Sequence, residues 1–138
     1  MSERETPSTP TTVAALEQEL QSLASDLTEP REGECVLCYV NRMLEFGCFG
    51  HRWTSRYREL RAPRATALER RMGDRGGYCD CEIFMNAYEL DRRLLLRREI
   101  SECDYEWEYP DPMPGCHGVR AGSSQPCTLW DRRYRRRW

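Results

Sequence analysis

Eight cysteines in a chain of 138 residues constrain what this sequence can fold into more than any other feature. They are Cys35, Cys38, Cys48, Cys79, Cys81, Cys103, Cys116 and Cys127, and two pairs are tight, Cys35-x-x-Cys38 and Cys79-x-Cys81. With 39% hydrophobic and 32% charged residues the chain buries a modest core. Small domains of this kind make up the shortfall with a metal or with disulfides. The compartment decides between them. Residues 1–7 are acidic and polar, with no positive segment followed by an apolar run, so they do not read as a secretory signal. No stretch approaches the roughly 18 apolar residues of a membrane span. The expectation is therefore a cytoplasmic protein with no membrane partner. Its thiols stay reduced, and clustered reduced cysteines point to metal binding ahead of structural bridges.

Zinc takes thiolate and imidazole ligands, usually four in a tetrahedron, and often two from one tight turn and two from elsewhere in the chain. In Cys35-x-x-Cys38 the turn lets both sulfurs converge. In Cys79-x-Cys81 neighbouring side chains diverge unless the backbone bends, which Gly76-Gly77 allows. A disulfide within the second pair would be strained. Cys48-x-x-His51 is a further candidate pair, so six candidates, Cys35, Cys38, Cys48, His51, Cys79 and Cys81, compete for four places. Three sets stay open: Cys35/Cys38/Cys79/Cys81, Cys48/His51/Cys79/Cys81, or a mixed set with Cys48 and one of the first pair. One zinc is expected, with Cys79 and Cys81 common to every set. Cys103, Cys116, His117 and Cys127 offer a second, less regular set.

The chain divides by charge. Residues 1–34 hold eight acids and two arginines, whereas the remaining 104 hold 19 arginines and 15 acids; lysine is absent. The expected fold is mostly α: a small zinc-stabilised helical domain with an N-terminal amphipathic helix and an irregular C-terminal segment. Residues 1–32 read as an acidic tail, disordered over 1–10, with that helix over 12–27. Val13, Leu16, Leu20, Leu23 and Leu27 share one of its faces, which packs on the domain or on a second subunit. Residues 33–130 read as the zinc-binding domain. Within it, Val36, Val40, Met43 and Leu44 form one helical face. Trp53, Tyr57 and Leu60 point inward from a helix over 52–61, and Ala65, Leu68 and Met72 from one over 64–73. A helix over 82–100 carries Ile83, Ala87, Leu90, Leu94 and Leu95 on its apolar side. Residues 131–138 are an arginine-rich tail, and residues 101–138 show no periodicity.

The run Gly76-Gly77-Tyr78-Cys79-Asp80-Cys81-Glu82-Ile83, with Asn86 shortly after, resembles the signature of small uncharacterised bacterial proteins grouped as a domain of unknown function. These carry Gly-Gly-aromatic-Cys-Asp-Cys-Glu near their end, preceded by a cysteine closely followed by histidine. The resemblance covers about Cys35 to Tyr88, including Phe46-Gly47-Cys48 and Arg61-Ala62-Pro63-Arg64-Ala65-Thr66. The chain departs from the pattern in placing His51 three residues after Cys48 instead of two, and in adding Cys35-x-x-Cys38. The resemblance implies no particular activity.

Catalytic signatures are missing. His51 lacks the glutamate of a zinc deaminase, and the metalloprotease, P-loop and dinucleotide motifs do not occur. Asp80 and Glu82 read as groups that orient the ligands or cap the helix expected from residue 82. A binding or regulatory module with a protein partner is the favoured class, and the alternative is a thiol redox protein or an iron–sulfur sensor on the same cysteines. Nucleic acid is a candidate partner through Arg132, Arg133, Arg135, Arg136 and Arg137, which alternate with Trp130, Tyr134 and Trp138 along one helical face. The 12–27 helix is a candidate for self-association.

Overall fold

The computed structural model describes residues 9–134. The chain opens with α1 (Thr9–Leu27). Short helices follow: α2 (Val36–Met43), α3 (Arg52–Arg61) and α4 (Leu68–Asp74). A single helical turn, α5 (Asp80–Glu82), runs into a π turn over Ile83–Ala87. Beyond it the chain turns to strands. β1 (Tyr88–Leu90) pairs antiparallel with β4 (Trp130–Arg132), and β2 (Leu96–Ser101) pairs antiparallel with β3 (Asp104–Glu108). Among the described residues no helix is long and apolar enough to cross a membrane.

The core lies where α2, α3 and α4 meet the β1–β4 pair. Val36, Val40 and Met43 fall on one side of α2 and are buried, as their spacing predicts. Trp53 and Tyr57 of α3 and Leu68 and Met72 of α4 close over them, with Ile83, Ala87, Leu90, Leu129 and Trp130 from the second half. Leu60, expected inward, is 40% exposed. The helix expected over 64–73 begins only at Leu68, because Pro63 is followed by two tight turns closed by Ala65 N–H to Ala62 O and Leu68 N–H to Ala65 O.

Two expectations are corrected. Residues 82–100 are not one helix. Tyr88 and Leu90 alternate inward along β1, and the π turn before it still buries Ile83 and Ala87. The apolar spacing suits either arrangement, and a non-local partner decides. Asp91 donates its N–H to Leu129 O at 2.8 Å and Arg133 donates to Ala87 O at 2.9 Å, which draws the chain into the β1–β4 ladder. Likewise the C-terminal part is not wholly irregular, since it contributes β3 and β4. Trp130 is a buried strand residue packed on Phe84 and Tyr109 and does not share a helical face with Tyr134. Trp138, Arg135, Arg136 and Arg137 lie outside the described residues, as do residues 1–8.

α1 is amphipathic, but its apolar face does not pack on the domain: Val13, Leu16, Leu20, Leu23 and Leu27 are all exposed. The body holds the helix by its C-terminal end. Thr28 O accepts from Tyr39 Oη and from Arg56 Nε, and Arg42 and Arg61 donate to Glu29 O and Pro30 O. These bonds satisfy the carbonyls of the three residues that follow the helix. They also bring the 28–34 linker against α2 and α3, just ahead of Cys35.

Candidate metal centres

All eight cysteines are free thiols. Seven of them gather into two separate groups, each with its sulfurs within 4.8 Å of one another: Cys35, Cys38, Cys116 and Cys127 in one, and Cys48, Cys79 and Cys81 in the other. Both are groups that can hold a metal ion. Cys35 and Cys38 therefore do not meet Cys79 and Cys81, as the first of the three sets would require. Cys116 and Cys127 join Cys35 and Cys38, while Cys103 is exposed beside the β2–β3 turn and belongs to neither group. His117 instead bonds Thr128 through Nδ1 at 2.5 Å.

The first group is built into the core. Cys35 is the N-cap of α2, and its sulfur accepts the N–H of Cys38 at 3.3 Å. The linker ahead of it is clamped. Glu34 takes Arg42 in a bidentate ion pair and accepts the Arg31 N–H, and its carbonyl accepts the Tyr57 hydroxyl at 2.8 Å. Residues 116–119 lie against this linker, with Val119 N–H donating to Gly33 O at 2.9 Å. Gly118 turns there with φ +86°, a conformation in which glycine alone is unstrained. The Cys116 sulfur accepts the N–H groups of Cys35 at 3.2 Å and Gly118 at 3.3 Å. From the other side β4 presents Trp130, whose indole N–H reaches the Cys38 sulfur at 3.3 Å. Three of the four sulfurs thus receive N–H donors, which favours thiolate.

One sulfur pair of the donor set meets a simple test of fit. A tetrahedron with metal–sulfur bonds of about 2.3 Å has sulfur–sulfur edges of about 3.8 Å. Cys38 and Cys127 stand 3.7 Å apart. Without an ion the thiols share protons unequally. Hydrogen bonding from the Cys38 thiol holds Cys35 down at about 5 and drives Cys38 upward, while burial lifts Cys127 to about 11. A divalent ion would replace those protons.

The second group sits on loops at the surface. Cys48 is exposed, and Cys79 and Cys81 are half-buried with their sulfurs 3.3 Å apart. Cys79 is extended at φ −146°, ψ 171° and the helical turn α5 begins at the next residue, so the bend that Cys-x-Cys needs falls between the two ligands. Gly76 and Gly77 set the approach. Gly76 has φ +95°, and a Cβ at Gly77 would stand 2.8 Å from Ile83 Cγ1 and 3.2 Å from Met72 O. Asn86 fastens the turn by donating to Gly76 O at 2.9 Å. Hydrogen bonding with Cys79 raises the Cys81 thiol to about 12. For Cys48 the slight burial pushes upward, but hydrogen bonds from Cys81 and Cys79 outweigh it and the net shift is downward.

Asp80, between the two cysteines, is fully buried. Its carboxylate accepts the N–H groups of Trp53 at 2.8 Å and Thr54 at 3.3 Å and the Thr54 hydroxyl at 2.6 Å. It caps α3 rather than the helix expected after residue 82. Its own N–H donates to Gly50 O at 2.8 Å, which ties the 48–51 loop to the 79–81 turn. Burial nevertheless pushes its pKa above the usual aspartate value, against those donors.

Residues 36–86 match the model of a family described as protein of unknown function (DUF2695). That span includes Cys48, Cys79 and Cys81, the whole of the second group, together with His51 and Asp80. Of the first group it includes only Cys38. No curated protein and no solved structure matches the chain.

Proposed function

We propose that this chain is a zinc-binding module whose fold is closed by a four-cysteine centre at Cys35, Cys38, Cys116 and Cys127, and that it serves as a binding or regulatory protein. One observation carries this reading: four sulfurs from three separated stretches of chain converge within 4.8 Å, backed by directed N–H donors. With every position of a tetrahedron filled by protein sulfur, no place is left for substrate, the pattern of structural rather than catalytic zinc. The exposed leucine stripe of α1 supports a protein partner. Metal analysis of full-length protein purified without chelator tests the reading. Colourless protein with tightly held zinc, lost in Cys116→Ser, is expected. A metal-free chain with unchanged melting temperature overturns it. A coloured protein that bleaches on reduction replaces zinc with an iron–sulfur cluster, which the same four thiolates can hold.

A further inference from the structure

The second thiol group offers three sulfurs, one fewer than a tetrahedral thiophilic cation requires. We propose that His51 supplies the fourth ligand through Nδ1, making Cys48, His51, Cys79 and Cys81 a second, exchangeable centre for zinc or another thiophilic d10 divalent cation.

The argument begins with a hydrogen bond. His51 Nε2 lies 2.7 Å from Gly77 O. A carbonyl oxygen only accepts, so Nε2 carries the proton and donates. In the neutral ring Nδ1 then holds the free lone pair. Metal-bound histidines are oriented in this way, the ring nitrogen away from the metal donating to a carbonyl or carboxylate. The carbonyl here belongs to the Gly-Gly turn that leads directly to Cys79 and Cys81. The bond therefore ties the ring to the turn that carries the two sulfurs it would complement.

Backbone geometry brings the remaining pieces together. Cys48 and His51 flank Gly50, whose φ is +61° and whose carbonyl accepts the Asp80 N–H. Cys-x-x-His and Cys-x-Cys are thus joined by two hydrogen bonds, His51 to Gly77 and Asp80 to Gly50, running in opposite directions between the loops. His51 itself ends the loop as the N-cap of α3, the helix whose first amides Asp80 holds. The ring is not yet inside the group of sulfurs, so closure of the loop around the ion is the step that binding would add.

The same geometry makes this centre exchangeable. Cys48 is exposed, and its loop contributes no buried apolar side chain, so ligands can leave one at a time without opening the core. The inference is independent of the four-cysteine centre, because the two groups share no residue.

The test is cadmium-113 NMR and native mass spectrometry of the full chain loaded with cadmium or zinc, followed by competition with a chromogenic chelator. Two metals per chain are expected, one with a four-sulfur shift and one shifted as three sulfurs and one nitrogen. The second should transfer to chelator first. His51→Ala and Cys48→Ser should each speed that transfer by more than the roughly 10–100-fold that loss of an outer hydrogen-bond partner costs, and leave the four-sulfur signal in place. Because Cys48 is exposed, Cys48→Ser guards against a histidine variant that misfolds. A single bound metal with the four-sulfur shift, or an unchanged second signal and transfer rate in His51→Ala, overturns the proposal. Loss of the four-sulfur signal alone counts against the first centre and leaves this one standing.

Discussion

Cys35 and Cys127 are buried among core side chains, whereas Cys48 stands in solvent on a loop, although in both groups the sulfurs lie within 4.8 Å of one another. The first group has α2, the 28–34 linker, residues 116–119 and β4 built around it, and its N–H donors come from Cys35, α2, Gly118 and β4. The second is held by two glycines, one buried aspartate and a pair of loop-to-loop hydrogen bonds. An ion held at the first group would stabilise the fold, because it would cross-link three separated chain segments around the core. A centre of the second kind answers to the ion with local loop changes. The family match runs along the same division, spanning all three cysteines of the loop group and a single cysteine of the buried one.

The sharpest way to break this comparison is to remove one sulfur from each side. Cys127→Ser is expected to lower stability by about 4 kcal/mol or more, the range in which metal loss belongs. Cys48→Ser should cost less, because the loop it stands on opens without exposing the core. Thermal and urea denaturation of the zinc-loaded proteins measures both, and equal losses would end the distinction.

Asp80→Ala tests whether the loop centre is coupled to the core. It strips two α3 amides and the Thr54 hydroxyl of their acceptor inside a buried site. About 3 kcal/mol is expected from hydrogen bonds to a charged group. Amide exchange should rise first at Trp53 and Thr54; protection unchanged there would show that α3 does not depend on the clamp.

Gly77→Ala comes next. The added methyl meets Ile83 Cγ1 at 2.8 Å and backbone at Ile83 Cα and Met72 O, so the turn must shift. A loss of about 1–3 kcal/mol is expected from overpacking. Metal retention at the loop centre should fall while the buried centre keeps its ion, readable from the two metal signals. The smallest effect belongs to Trp130→Phe, which removes the indole N–H from Cys38 but keeps a ring against Phe84 and Tyr109. About 1 kcal/mol is expected, with faster zinc loss from the buried centre alone.

What was legible in the sequence followed from local rules. The helices over α2 and α3 show in the spacing of Val36, Val40 and Met43 and of Trp53 and Tyr57, because helical period and burial coincide there. The helix expected over 82–100 does not form because Ile83, Ala87 and Leu90 satisfy a helical period and a π turn followed by a strand equally well, and the β1–β4 ladder decides between them. The pairing of Cys35 and Cys38 with Cys116 and Cys127 was missed for another reason. Nothing in the short spacing records a partner 81 residues away, so Cys116 and Cys127 read as a set with Cys103 and His117 rather than with Cys35 and Cys38. The one local hint was Gly118, a turn residue two positions after a cysteine. Asp80 was read as an orienting or capping group, but its target, the first turn of α3, is visible only once the helices are packed.

The sequence by itself therefore determined the chemistry on offer: cysteines in two tight pairs, a Cys-x-x-His turn, a Gly-Gly bend before Cys-x-Cys and a leucine stripe on α1. Each is a property of a few consecutive residues, set by backbone sterics and side-chain period. Only the tertiary structure decided which pair faces which, and that the α1 stripe stays exposed. Those outcomes depend on the β1–β4 ladder and on the shared core of α2, α3 and α4. There the burial of Leu90, Leu129 and Trp130 fixes where the distant cysteines arrive. Spacing can bring two neighbouring sulfurs to one point, but bringing the second pair to the same point takes the free energy of burying the chain between them.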